Sequence, residues 1–224
     1  AEFAGRVTRL AGALRELGVA TDDRVAMMAL NSDRYLEYYY AVWWAGAVVN
    51  PVNIRWTPAE VAYSLDDCET AVLIVDDAFA PAVAELRRRC KALRTVIHCG
   101  SGEAPEGSLS LETLIAGAQP IDDAMRSGDD LAGIFYTGGT TGFPKGVMLT
   151  HTNLASNALS NVAEQIVHAN GVTLFAAPMF HLANGASMLA SMTFGNLTTF
   201  VPAFNPVGVL QAIQAQRVSQ ALLV

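Results

Sequence analysis

The stretch YTGGTTGFPKGVMLTH, residues 136–151, crowds glycines and threonines around one lysine and then turns apolar. Gly138, Gly139 and Gly142 open backbone angles closed to other residues, so successive amides can curl into a concave nest that donates to phosphate oxygens. Thr137, Thr140 and Thr141 add hydroxyls able to bond phosphate or phosphate-bound magnesium, and Lys145 adds a mobile ammonium with three donors. Pro144 disfavours a helical Phe143, while Val147, Met148 and Leu149 read as a strand, so the loop is expected to join strand to strand. A helix dipole is then not the main attractor of phosphate. The pattern GxxxxGK[ST] fails because Gly146 follows the lysine, and GxGxxG is absent. A plain glycine-rich hairpin turn is the alternative, but turn chemistry calls for neither the three threonines nor Pro-Lys-Gly.

Around this loop, helix and strand alternate. Phe3, Val7, Leu10, Ala11, Leu14 and Leu17 recur at threes and fours, which predicts an amphipathic helix ending at Gly18. Residues 24–30 read as a strand and residues 32–45 as an aromatic helix. Thr57, Pro58 and Glu60 supply an N-cap, a first-turn proline and a capping-box acid for a helix over 58–67. Residues 71–75, AVLIV, suit a buried strand, and residues 78–93 are predicted helical. After the loop come a helix following Thr152, a strand at 172–176, a helix from Asn205 and Pro206 to Arg217, and a buried strand at the final SQALLV. This rhythm predicts a layered α/β fold of crossover units, with mixed, largely parallel sheets flanked by helices.

With 224 residues, 52% of them hydrophobic and 16% charged, the chain can bury a sizeable core. A net charge of −7 with no basic stripe argues against nucleic acid. The apolar run at 38–49 is short of the ~20 residues that cross a bilayer, and no signal-peptide pattern opens the chain. Cys68, Cys90 and Cys99 form no CxxC pair, so neither zinc nor a disulfide framework is indicated and a reduced, cytoplasmic setting is expected. Asp122, Asp123, Asp129 and Asp130 lack ligand spacing and read as solvated loop charges, so no protein-built metal site is expected.

At residues 136–146 the chain resembles the adenylate-forming enzymes: acyl-CoA synthetases, luciferases and the adenylation domains of peptide synthetases. Their signature loop reads YT[SG]GTTGxPKG. Residues 17–67 resemble the family's opening region and APMFHLANG, residues 177–185, its next core motif, so the likeness covers essentially the whole chain. Gly138 stands where many members carry serine, which removes one hydroxyl and leaves the backbone donors.

The resemblance implies that a carboxylic acid, fatty or aromatic, is joined to ATP as an acyl adenylate with release of pyrophosphate, and is then passed to coenzyme A. It implies a phosphate-binding set of Thr137, Gly138, Gly139, Thr140, Thr141, Gly142 and Lys145, with Thr140 and Thr141 nearest phosphate or the Mg²⁺ shell. Lys145 is an electrostatic clamp. Lys145, Thr141 and His181 form the implied catalytic set, and His181, Phe180 and Gly185 the implied acid-binding set. Without the resemblance, His181 reads as a histidine satisfied at a helix start; His151 reads as a loop or helix-entry residue. Met179 and Leu182 fit either an acyl tunnel or plain core, and Tyr38, Tyr39, Tyr40, Trp43 and Trp44 fit core.

By the same resemblance, residues 1–224 are the incomplete front of a large N-terminal AMP-binding domain. A subdomain crossover is expected near 150–170, and the small C-terminal domain is expected to be missing. The alternative is a non-catalytic module that folds through partner contacts or self-association, and a homo-oligomer remains open.

Overall fold

The computed structural model describes residues 2–138 and 142–223. In chain order the elements are α1 (Glu2–Glu16), β1 (Arg24–Met28), α2 (Asp33–Trp44), β2 (Val48–Pro51), α3 (Pro58–Asp67), β3 (Val72–Val75), α4 (Val83–Arg89), β4 (Thr95–His98), β5 (Leu109–Ser110), α5 (Leu111–Gly117), β6 (Leu131–Thr137) and β7 (Lys145–Thr150). There follow α6 (His151–Ala163), β8 (Val172–Phe175), α7 (Leu182–Thr193), β9 (Leu197–Phe200), α8 (Pro206–Gln216) and β10 (Gln220–Ala221). The chain divides into two compact units, one of residues 1–29 and 34–150, the other of residues 30–33 and 151–224.

The first unit is built on a seven-stranded sheet in the order β5-β4-β3-β1-β2-β6-β7. Every pairing is parallel except the last, where β6 and β7 form an antiparallel hairpin. The central strands β1, β2 and β3 are buried at every position but Arg24, and apolar apart from Arg24 and Asn50, because helices cover both faces. Ala26 and Met28 of β1, with Leu73 and Val75 of β3, pack against Val61 and Leu65 of α3 and Val83 and Leu86 of α4. Their alternates Val25, Met27 and Ile74 point the other way and are equally buried. Each of the Val, Leu, Ile and Met side chains among these contributes roughly 1.5–3 kcal/mol on burial. α1, α2 and α5 are tied by Arg6, which bonds Glu37 (3.0 Å) and both carboxylate oxygens of Glu112 (2.8 and 2.9 Å).

In the second unit a three-stranded parallel sheet has the order β10-β8-β9. α7 carries the chain from β8 to β9, and α8 returns it to β10 on the other side of β8. Leu174, Ala176, Val201 and Val209 form its core with Ile213 and Val218.

Sequence periodicity located most elements within a residue or two. The capping box of α3 is present in full, with Thr57 accepting from Glu60 N and Glu60 accepting from Thr57 N. Two expectations need correction. The helix predicted over 78–93 is a 3₁₀ turn at Ala80–Ala82 followed by α4, because Pro81 supplies no amide to a longer helix and Cys90 is already extended. The buried strand predicted at the end is only Gln220–Ala221, at the edge of its sheet with Ala221 exposed. The glycine-rich stretches around 99–107 and 127–130 are loops, and none of the cysteines is disulfide-bonded. Among the described residues no helix is long and apolar enough to cross a membrane.

Candidate functional sites in the two units

β6 runs into the glycine-rich segment and β7 leaves it at Lys145, as the strand-to-strand expectation required. Tyr136 pairs with Gly146 and Thr137 with Lys145 across the hairpin. Directly opposed residues share a face, so Thr137 and Lys145 stand together on one face and Tyr136 with Gly146 on the other. Thr137, Gly138, Gly142 and Lys145 are all exposed. Thr137 Oγ1 lies 3.5 Å from the Lys145 carbonyl, at the limit of hydrogen bonding. Lys145 has no ion-pair partner among the described residues, so its ammonium is available to an anion. Gly139, Thr140 and Thr141, expected to touch phosphate, lie outside the described residues.

The glycines differ in what they do. Gly142 has φ 147°, a conformation other residues rarely adopt. Gly138 is outside that region, and a Cβ there would meet nothing within 4 Å, so the flexibility expected of it is not used. Gly146 is required by contact instead: a Cβ would stand 2.8 Å from Ile134 Cγ2 and 2.9 Å from Tyr136 Cζ. The tyrosine ring covers the glycine.

The covered face rests on α3. Tyr136 Oη donates to Asp67 Oδ2 at 2.6 Å, and its ring meets Trp56 edge-on at 6.2 Å. Burial, then the bond to Asp67, pushes the Tyr136 phenol well above its ordinary range. Beneath it, Asn50 Nδ2 donates to Cys68 Sγ and Thr70 Oγ1, each at 3.1 Å. Burial raises the Cys68 thiol, so it stays protonated. Trp56, Tyr63 and Asp67 escaped the sequence reading, because helical periodicity marks apolar positions and these are half-buried or exposed.

In the second unit His181 is the N-cap of α7, its Nδ1 accepting from Ala183 N at 3.3 Å, so the plainer role of a helix-start histidine is present. His181 is exposed, Phe180 half-buried and Gly185 buried within α7. Met179 is core at 1% exposure, whereas Leu182 is 38% exposed. The segment before His181 is fixed by Asn31. Its Oδ1 accepts from Met179 N at 2.8 Å, while Nδ2 reaches the carbonyls of Ala177 (2.8 Å), Val201 (3.2 Å) and Phe175 (3.3 Å). Asn184 Nδ2 donates to Ala177 O at 2.6 Å. Neither asparagine was assigned a role from sequence: Asn31 is a lone Asn in a loop with no periodic signal, and Asn184 is a polar residue in the first turn of an apolar helix. His151 opens α6, and Asp122, Asp123 and Asp129 are exposed. Tyr38 and Tyr39 are buried core, and Trp43 and Trp44 are half-buried with their indoles bonded to backbone carbonyls.

The family model for AMP-binding enzymes matches residues 1–224. The chain belongs to the AMP-binding enzyme family. It is 36% identical over 220 residues to a feruloyl-CoA synthase of Amycolatopsis sp., covering 98% of this chain and 42% of the relative. It is 38% identical over 185 residues to a long-chain-fatty-acid–CoA ligase of Thermus thermophilus, covering 81% of this chain and 34% of the relative. The chain therefore spans about two-fifths or less of these relatives. Among solved structures, the inhibitor-bound N-terminal domain of FACL13 from Mycobacterium tuberculosis superposes with a TM-score of 0.88 at 30% identity, covering 98% of this chain and 54% of that one. ATP-bound MatB from Rhodopseudomonas palustris superposes at 0.84 with 32% identity, covering 98% and 42%. The mixed, largely parallel α/β architecture of this family's N-terminal domains is the one expected from sequence.

Proposed function

We propose that the chain is the front part of an acid–CoA ligase, in which the β6–β7 hairpin handles the triphosphate of ATP and the segment around His181 handles the carboxylic acid. The observation that carries this is the pairing of Thr137 with Lys145 on one exposed face of a hairpin, beside a glycine held at φ 147°. A hydroxyl and an ammonium with no ion-pair partner among the described residues suit a polyphosphate, and the ATP-bound relative supports that choice of anion. Gly138, Gly139, Thr140, Thr141 and Gly142 belong to this proposal with them.

In the first half-reaction a carboxylate oxygen forms a bond to the α-phosphorus while the bond from that phosphorus to pyrophosphate breaks. Two anions approach and a third departs, so charge on the phosphates must be spread and the attack aligned. Lys145 meets the first need as a clamp that moves no proton. Mg²⁺ brought in with ATP would add charge neutralisation, and hydroxyls such as Thr137 Oγ1 would suit it as oxygen donors. In the second half-reaction the thiol sulfur of coenzyme A bonds to the acyl carbon, the bond from that carbon to the AMP phosphate oxygen breaks, and AMP and the thiol proton are released.

His181 accepts at Nδ1, so its neutral ring carries the proton on Nε2, a donor suited to orienting a carboxylate. Phe180 and Gly185 are proposed beside the acyl chain. The names of the relatives, a feruloyl-CoA synthase and fatty-acid ligases, support an aromatic or fatty acid.

Acid-dependent pyrophosphate exchange by the full-length protein, across a panel of fatty and aromatic acids, tests the proposal. Lys145→Ala is expected to lower kcat/KM for ATP by about 10²-fold. Undiminished exchange by that variant, or no exchange with any acid, overturns it. ATP binding without exchange leaves the non-catalytic alternative.

A further inference from the structure

We propose that α3 is a positioning brace for the nucleotide hairpin, with Tyr63 and Asp67 gripping Phe143 and Tyr136 on either side of the glycine- and threonine-rich segment. This rests on the nucleotide-binding reading of that hairpin. Tyr136 immediately precedes Thr137, and its Oη is held by Asp67 Oδ2 at 2.6 Å. Phe143 stands two residues before Lys145, and its ring stacks on Tyr63 with centroids 4.6 Å apart and planes 23° from parallel. Tyr63 and Asp67 sit four residues apart on α3 and therefore on one face of the helix. They also touch each other, Tyr63 Oη reaching Asp67 Oδ1 at 3.4 Å, so the carboxylate serves one tyrosine with each oxygen.

The stack has no evident purpose in the core. Phe143 is 70% exposed, a large apolar ring left in water apart from its contact with Tyr63. A polar residue would be the ordinary choice at such a position unless the ring were needed to fix the chain there. The helix that holds it is itself firmly placed. Val61 and Leu65 are fully buried, the capping box closes its first turn, and Asp66 at its end accepts the amides of Lys91 and Ala92 at 2.7 and 2.8 Å.

Ordering groups against a ligand costs affinity. With Tyr136 held next to Thr137 and Phe143 held two residues before Lys145, the Thr137 hydroxyl and the Lys145 ammonium are placed in advance, which favours ATP binding without touching ATP. Tyr63 and Asp67 are thus positioning residues, acting through Tyr136 and Phe143.

The test is steady-state pyrophosphate exchange with the full-length protein, reading KM for ATP separately from kcat and from KM for the acid. Tyr63→Ala and Asp67→Asn are expected to raise KM for ATP about 3- to 10-fold with Tm, kcat and acid KM nearly unchanged. Tyr63→Phe keeps the stack and is expected to restore the parent KM. In the cycle pairing Tyr63→Ala with Phe143→Ala, the double variant is expected to be no worse than either single one. If Lys145→Ala raises KM for ATP while Tyr63→Ala and Asp67→Asn leave it unchanged, the brace is overturned and the nucleotide reading stands. If Lys145→Ala also has no effect, the nucleotide reading falls. A drop in Tm accompanied by equal changes in all three kinetic parameters means ordinary structural support and equally overturns the brace.

Discussion

Replacing Asn31 tests how the segment leading to His181 is held. This residue is 5% exposed, and in Asn31→Ala the amide of Met179 loses the Asn31 Oδ1 contact while the Val201 carbonyl loses the Asn31 Nδ2 donor. Two other carbonyls are spared, because Ala177 O still receives Asn184 Nδ2 and Phe175 O still receives Val201 N. Losing a buried partner costs about 1–3 kcal/mol per group, so the two losses are expected to destabilise by about 2–6 kcal/mol. Asn31→Asp should be worse than Ala, since an anionic oxygen replaces Nδ2 opposite three carbonyl oxygens. The choice of probe matters: Trp43, Trp44 and Trp56 all belong to the first unit, so tryptophan fluorescence is blind to the second. Urea unfolding followed by far-ultraviolet circular dichroism, with hydrogen exchange of β8, β9 and α7, reads the right region. A loss below about 1 kcal/mol for Asn31→Ala, or an Asp variant no worse than Ala, refutes the reasoning.

Two further outcomes follow from the hairpin and from the thiols. Gly142→Ala forces a side chain onto φ 147° and is expected to cost about 1–3 kcal/mol, whereas Gly138→Ser enters open space and should change stability by less than about 0.5 kcal/mol; equal urea midpoints for the two variants contradict this. Burial pushes the Cys90 thiol up to about 11 and the Cys99 thiol up to about 12, from an ordinary value of 9.0. The unfolded chain releases these protons at lower pH than the folded one, so their contribution is intact below about pH 9 and is lost as pH rises through 11 and 12. Tm should fall over that window, less steeply in Cys99→Ala, and an identical slope in the variant counts against burial as the cause.

Much of the architecture was legible because it rests on local rules. Thr57, Pro58 and Glu60 announce the start of α3, and Asn205 with Pro206 that of α8, since caps are satisfied within one turn. The hairpin was legible because Pro144 forbids a helical entry. What stayed hidden depends on residues distant in sequence. Asn31 acquires its role from carbonyls well over a hundred positions away, and Asp67 from Tyr136. The helix predicted at 78–93 failed at its boundaries, where apolar spacing continues but Pro81 and Cys90 set the backbone. For His181 the sequence offered two roles, and the capping one is visible at Nδ1.

The strand order has a consequence for how the chain is made. β6 completes the parallel part of the first sheet by lying beside β2, with Val49 opposite Gly133. At common translation rates the ribosome needs roughly 4–17 s to supply the residues separating them. Through that interval the edge formed by Val48 and Val49 is open in the nascent protein, while the β6–β7 hairpin, once extruded, closes within microseconds. The growing polypeptide is therefore most vulnerable to mispairing just before the β6–β7 hairpin emerges, and a holdase that shields the β2 edge during those seconds should raise the yield of folded product.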